Sequence, residues 1–193
     1  MNLSDLMIDS GWTLFLDRDG VINTRILGGY VQKWEQFEFL PGVTDAIELL
    51  SGKFSRIFVV SNQQGIGKGL MTEQELDSLH AMMIAEIERK GGRIDRVYHS
   101  PHLEGEGSVK RKPNVGMALM ARKDYPGLNF KKSVMVGDSI SDMIFGKRLK
   151  MTNVFISDDL IQVRKNPDCI DFVFPDLISF ALALPGIKNT ITY

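Results

Sequence analysis

Apolar residues along this chain gather in short unbroken runs: Trp12–Leu16, Ile57–Val60, Val134–Val136, Val154–Ile156 and Phe172–Phe174. A run that does not alternate with polar positions suits a strand covered on both faces, and such strands belong to parallel sheets. Between the runs the apolar period lengthens to that of a helix. The clearest case spans Glu73–Lys90, where Leu76, Leu79, Met83 and Ile87 share one face. Thr72 and Glu75 form a capping box at its start, and Gly91-Gly92 ends it. Further helices are predicted over Val43–Leu50 after Pro41-Gly42, over Ser139–Lys150, and over Leu177–Leu184. Another is expected to start at Pro113, in its first turn, and to run through Met117 and Met120. A strand is expected near Ile94–His99.

Strands alternating with helices predict a doubly wound α/β fold, a mainly parallel sheet with helices on both faces. In such sheets ligands bind beyond the carboxyl ends of the strands, so the residues just after each strand carry the functional reading. The stretch Ser100–Lys112 resembles neither helix nor strand and is expected to be a specificity loop.

Composition narrows the picture. At 193 residues with 44% hydrophobic content the chain can bury one ordinary core, so 1–193 is read as a single domain. A formal net charge of −1 without a basic run argues against nucleic acid or an anionic membrane as partner. The partner expected instead is a small molecule, with the chain a monomer or weak homodimer. Cys169 is the sole cysteine, so no intramolecular disulfide can form. No run approaches the length of a membrane span, and MNLSDLMIDS lacks a signal-peptide pattern. A cytoplasmic location is expected.

Four polar clusters follow the predicted strands or open the adjoining helix. The first run leads into Asp17-Arg18-Asp19-Gly20 and the second into Ser61-Asn62-Gln63-Gln64-Gly65. Arg111-Lys112 precedes Pro113, and Val134–Val136 leads into Gly137-Asp138-Ser139-Ile140-Ser141-Asp142. Each cluster alone has a plain reading: a solvated Asp turn, a polar turn before a helix, a basic turn, and Asp138 as a helix cap. The second cluster is not a P-loop, because Lys68 is followed by Gly69 and not by Ser or Thr.

Taken in order, Asp-x-Asp-Gly, Ser-Asn, Lys-Pro and Gly-Asp-x-x-x-Asp resemble the haloacid dehalogenase superfamily of phosphohydrolases, from about Thr13 to Ile156. FLDRDGVIN, FLPGV, SNQQGIGKG and RKP are similar to the branch that holds the D-glycero-D-manno-heptose 1,7-bisphosphate phosphatases and the histidinol-phosphatase domain. The resemblance implies an Asp17 nucleophile, with Asp19 as general acid and then base. It also implies Mg²⁺ on Asp17, the Asp19 carbonyl and Asp138. Ser61, Asn62 and Lys112 would hold the transferring phosphoryl group, and Asp142 would steady Lys112 or a metal-bound water without ligating the metal.

Close relatives carry a zinc loop of Cys-x-His and Cys-x-Cys. Here Ser100, His102, Ser108 and Lys110 stand at the matching positions, so structural zinc is not expected. No cap domain fits between Asp17 and Ser61 or between Ser61 and Lys112. An open site follows, with Arg25, Tyr30, Trp34, His102 and Arg111 as substrate contacts, although Tyr30 and Trp34 also suit packing of a flap. His80 is read as a packing or surface histidine. The implied substrate is a small phosphorylated metabolite, first a heptose 1,7-bisphosphate attacked at its anomeric phosphate and second histidinol phosphate. A receiver domain and a non-catalytic binding protein are the competing classes. The order of the motifs disfavours the first, and the complete set of catalytic residue types disfavours the second.

Overall fold

The computed structural model describes residues 3, 6, 8–158 and 160–187. Six strands form one sheet: β1 (Thr13–Leu16), β2 (Arg56–Asn62), β3 (Arg96–Ser100), β4 (Ser133–Gly137), β5 (Thr152–Ile156) and β6 (Phe172–Phe174). They lie in the order β3-β2-β1-β4-β5-β6, and every neighbouring pair is parallel. The chain winds outward one way from β1 through β2 to β3 and the other way through β4, β5 and β6. The crossover reverses between β1 and β4, where a doubly wound sheet opens its crevice.

The connections contain α1 (Val43–Ser51), α2 (Gln64–Gly67), α3 (Glu73–Arg89), α4 (Gly116–Asp124), α5 (Ile140–Leu149), α6 (Leu160–Lys165) and α7 (Leu177–Ala183). Leu14 and Leu16 of β1 face α1, α3 and α7, where Ala46, Ile47, Leu79, Met83 and Phe180 close the core. Phe15 points the other way, onto Met117 and Ala121 of α4 and Met143 and Phe145 of α5. Both faces of the strand are covered, which is why its sequence does not alternate. Full burial of one such Leu or Phe contributes about 1.5–3 kcal/mol. Among the described residues, neither the β1–β2 nor the β2–β3 connection carries a further folded layer above the sheet.

The predicted strands and the helices α1, α3, α5 and α7 form within a residue or two of their expected limits, and the Thr72–Glu75 capping box closes as read. Pro113 is a correction, for it stands before α4 and follows a cis peptide bond from Lys112. A turn intervenes: the Asn114 N–H donates to the Arg111 carbonyl, and Gly116 N–H to that of Val109. The helix therefore starts only at Gly116. The segment 102–112 is free of helix and strand, as expected. No described helix is long and apolar enough to cross a membrane.

Candidate active site

Buried polar side chains gather at the carboxyl edge of β1, β2 and β4, among them Asp17, Arg18, Ser61, Gln63, Lys112 and Asp142. Asp17 continues the pairing of β1, its N–H donating to the Val136 carbonyl at 2.9 Å. Its Oδ1 accepts from the Arg18 N–H at 2.7 Å and lies 2.8 Å from Lys112 Nζ, so the carboxylate is fixed in rotation. Lys112 Nζ also meets Asp142 Oδ1 at 2.6 Å and donates to the Val60 carbonyl at 2.6 Å. Burial alone would favour the neutral amine, but Asp142 and Asp17 hold the ammonium above its ordinary pKa. Burial, opposed by Lys112, pushes Asp17 up to about 6. Asp138 rises to about 8 through burial and the nearby charge of Asp17.

Asp17, Asp138 and Asp142 can each bring a carboxylate oxygen within 4.8 Å of the others. Asp142 is committed elsewhere, since Oδ2 accepts from Ser139 N–H and Oγ at the start of α5 and Oδ1 faces Lys112. That leaves Asp17 and Asp138, and a cationic atom already lies among their oxygens. Arg25 Nη2 donates to Asp138 Oδ1 at 2.6 Å and to the Asp19 carbonyl at 3.0 Å, and it lies 3.8 Å from Asp17 Oδ2. Two carboxylates and one backbone carbonyl converge on one positive charge. This hard oxygen set fits Mg²⁺, which is bound through few carboxylates and completes its shell with water and substrate oxygens. Gly20 permits the approach: its φ is +94°, and a Cβ there would fall 1.9 Å from Asp138 Oδ2.

Asp19 is held by three side chains. Arg18 Nη2 reaches both of its oxygens at 3.0 and 2.9 Å, Asn23 Nδ2 donates to Oδ1 at 3.0 Å, and Gln63 Nε2 to Oδ2 at 2.8 Å. Burial would raise its pKa, yet Arg18 and the amides keep it below the usual carboxylate value. Gln63 Nε2 also donates to Ser61 Oγ at 2.7 Å, which leaves the Ser61 proton free for a ligand.

Asn62, which lines the cleft, also has a structural use. Its Oδ1 accepts from the Lys112 N–H at 2.9 Å and its Nδ2 donates to the Lys112 carbonyl at 3.1 Å, so the side chain clamps the segment that carries the buried ammonium. Trp34 takes the packing reading of the two open to it, stacking on Phe37 at 5.1 Å and packing against the core. His102 lies outside the cleft lining, paired with Ser100 Oγ at 3.1 Å. Arg25, Tyr30 and Arg111 do line the cleft, of ≈ 430 Å³, together with Asp17, Asp19, Ser61, Asn62 and Lys112.

Three residues escaped sequence reasoning. Arg18 is fully buried, and its Nη1 hydrogen-bonds His80 Nε2 at 3.1 Å. Gln63 joins Asp19 to Ser61, and Lys68 faces the cleft while donating to the Tyr30 hydroxyl at 2.9 Å. The signal for Arg18 was parity: it shares the phase of Leu14 and Leu16 and so points toward α3, where His80 lies. Asp77, His80 and His99 can also approach within 4.8 Å. Arg18 occupies one His80 nitrogen, however, and His99 is paired with Glu73 at 2.6 Å.

Positions that the resemblance matched to zinc ligands are tied here by hydrogen bonds. Ser100 pairs with His102, the Lys110 N–H donates to Ser108 Oγ, and Asn114 Nδ2 donates to the Ser108 carbonyl.

A parallel sheet ordered 3-2-1-4-5-6 that sets two aspartates after β1 and a buried lysine beside them agrees with the haloacid dehalogenase-type core that the sequence resembles. A family model described as HAD-hydrolase-like matches residues 109–179. The D-glycero-alpha-D-manno-heptose-1,7-bisphosphate 7-phosphatase of Mycobacterium bovis is 35% identical over 173 residues, which are 90% of this chain and 91% of that protein. The enzyme of the same name from Campylobacter jejuni is 41% identical over 133 residues, 69% of this chain and 74% of its own. Among solved structures, the D,D-heptose 1,7-bisphosphate phosphatase from B. bronchiseptica, complexed with magnesium and phosphate, has a TM-score of 0.79 at 25% identity, covering 89% of this chain and 96% of its own. The chain belongs to the haloacid dehalogenase-like hydrolases, in the branch of the heptose 1,7-bisphosphate phosphatases. Membership makes it a hydrolase of phosphoric monoesters. The names of these relatives put the cleaved phosphate at position 7, against the anomeric phosphate expected from sequence.

Proposed function

We propose that this single-domain chain hydrolyses the 7-phosphate of a D-glycero-D-manno-heptose 1,7-bisphosphate through an aspartyl-phosphate on Asp17, with Mg²⁺ held by Asp17, Asp138 and the Asp19 carbonyl. The observation that carries the reading is the convergence of those three oxygen donors on the Arg25 guanidinium nitrogen, directly beside a carboxylate locked by Lys112. When bound, Mg²⁺ supplies neutralising charge to the reacting phosphoryl group and to the carboxylates around it.

The protein's own groups do the rest. The Asp17 carboxylate attacks phosphorus in line, and the bond to the sugar oxygen breaks as that oxygen takes a proton from Asp19. Asp19, now ionised, takes a proton from water as the water attacks the phosphorus of the aspartyl-phosphate, which releases phosphate and restores Asp17. The Arg18, Asn23 and Gln63 contacts favour the ionised Asp19 of this second step. The first step needs Asp19 protonated, a state that these contacts oppose in the substrate-free chain and that an anionic phosphate brought beside it favours. Ser61 donates its free proton to a phosphoryl oxygen, and Lys112 neutralises the charge that develops there. Arg111 and Lys68 stand at the cleft wall where the second phosphate of the sugar would lie.

Phosphate release measured with Mg²⁺ from the heptose bisphosphate, histidinol phosphate and a nucleotide tests the reading. The heptose bisphosphate should give the highest kcat/KM and leave the 1-phosphate on the product. A kcat/KM for histidinol phosphate about tenfold higher, equivalent to ~1.4 kcal/mol of transition-state preference, would overturn the substrate.

A further inference from the structure

We propose that Arg25 has two positions: without metal its guanidinium holds the cation's place, and on metal binding it yields those oxygens and turns to the substrate phosphate that is not transferred. This second position rests on the bisphosphate reading above. The first rests on the site alone.

Arg25 touches the same three groups that would hold the metal, at 2.6, 3.0 and 3.8 Å. Mg²⁺ needs its oxygens at about 2.0–2.1 Å and in near-octahedral array, so a guanidinium nitrogen cannot share them. Two cations at one point would also repel. One must leave, and Arg25 is built to do so at small cost. Its side chain is 42% exposed, and its hydrogen bonds among the described residues go to Asp19 and Asp138. The segment that carries it is a surface strap: Leu27 is 91% exposed, and a Cβ built on Gly28 would meet nothing within 4 Å. The strap is anchored just before Arg25, where the Thr24 N–H donates to the Glu38 carbonyl and Asn23 bridges to Phe39. The guanidinium can therefore swing while the core stays intact.

Its destination follows from charge. Once the metal neutralises Asp17 and Asp138, the field that held the guanidinium on them is gone. Arg25 shares the wall of the cleft with Lys68 and Arg111. Lys68 is engaged with Tyr30, by a 2.9 Å hydrogen bond and by lying 5.1 Å over its ring. A planar guanidinium matches phosphate oxygens in pairs, which an ammonium cannot do. The remote phosphate thus meets a fork that only the metal-loaded enzyme releases, and metal and substrate bind in that order.

The test begins with calorimetric titration of Mg²⁺ into substrate-free wild type, Arg25→Ala and Lys68→Met. Arg25→Ala should bind Mg²⁺ about tenfold more tightly, since a charge-assisted competitor is gone. Lys68→Met removes a charge from the same cleft without freeing a ligand, and should change the affinity by no more than about twofold. Unchanged or weaker Mg²⁺ binding by Arg25→Ala, or an equal gain in Lys68→Met, overturns the displacement. At saturating Mg²⁺, Arg25→Ala should raise KM for the heptose bisphosphate about tenfold, the loss of one paired phosphate contact, and leave KM for p-nitrophenyl phosphate within about twofold. Equal effects on both substrates would remove Arg25 from the remote phosphate. The titration contains no sugar, so it decides the first position even if the substrate is another one.

Discussion

Asp17 and Asp19 share a motif but not an environment, and their variants should fail differently. Asp17 is gripped at one oxygen by Lys112 and the Arg18 N–H, and replacement by Asn would remove the proposed nucleophile. Asp17→Asn should fold and show no turnover; activity above a small residue, in a preparation free of wild type, would remove Asp17 from its role. Asp19→Asn should lose more rate on a sugar phosphate than on p-nitrophenyl phosphate, because the poorer leaving group needs the proton more. A uniform loss would argue against acid catalysis. Behind Asp19 stands His80, buried and hydrogen-bonded to Arg18, its pKa pushed down to about 3 by burial and by the Arg18 charge. The unfolded chain takes a proton on this ring below its ordinary value of 6.5, while the folded chain does not until about 3. Falling pH therefore costs wild type a stability that His80→Gln, which keeps an acceptor for Arg18, does not lose. Urea unfolding should show wild type losing up to ~1.4 kcal/mol per pH unit relative to His80→Gln between those two values. A gap that does not change with pH would mean the ring charges in the fold.

At the scale of elements, the start of α5 joins stability to chemistry. Gly137 ends β4 so tightly against it that a Cβ would fall 2.3 Å from that of Asp142. One oxygen of Asp142 closes the capping box with Ser139, and the other faces Lys112. Asp142→Ala loses the cap, worth about 1 kcal/mol, and leaves a buried ammonium half-compensated, so thermal or urea unfolding should report a loss of about 3–5 kcal/mol. Asp142→Asn keeps an acceptor for the cap and should lose less stability while still impairing turnover. Equal stability losses in the two variants would mean that the charge facing Lys112, and not the cap, dominates. Elements of this kind were legible because their signals are local: unbroken apolar runs, a Thr-x-x-Glu box, an Asp after a strand. The four-residue α2, of sequence QGIG, was not legible, since it is fixed from outside by the Gly67 N–H bonding to the Pro101 carbonyl. The turn that displaces α4 from Pro113 likewise depends on Val109 and Ser108, which only the fold brings near. Asn62 was recognised as a site residue, but its use as a clamp on Lys112 needed β2 and that loop to be placed side by side. Arg18 reads as a solvated charge until α3 is packed over it.

For the whole molecule the question is how a chain of net charge −1 would draw in the proposed substrate, which carries two phosphates. Net charge gives no attraction, so the distribution must. Arg25, Lys68, Arg111 and Lys112 all line one cleft, whose low-dielectric walls focus their field toward the mouth. Arg111 is poised by its Nη1 bond to the His102 carbonyl at 3.3 Å, and through it the loop after β3 takes part in the cleft. Charges at the mouth are open to solvent, and salt should screen them far more than it screens the buried Lys112–Asp17 pair. Raising ionic strength from about 0.01 M, where screening acts over ~30 Å, to about 0.15 M, where it acts over ~8 Å, should lower kcat/KM for the heptose bisphosphate about tenfold. A small monophosphate has less charge to steer and should lose less. Arg111→Ala should reduce both kcat/KM for the bisphosphate and its salt slope, with a smaller effect on the monophosphate, because the contact that it removes lies away from the reacting phosphorus. Parallel salt slopes for the two substrates would show that the second phosphate meets no cation in the cleft. The transferred phosphate would then be the only one the enzyme recognises by charge, and discrimination would have to come from the hydroxyls of the sugar.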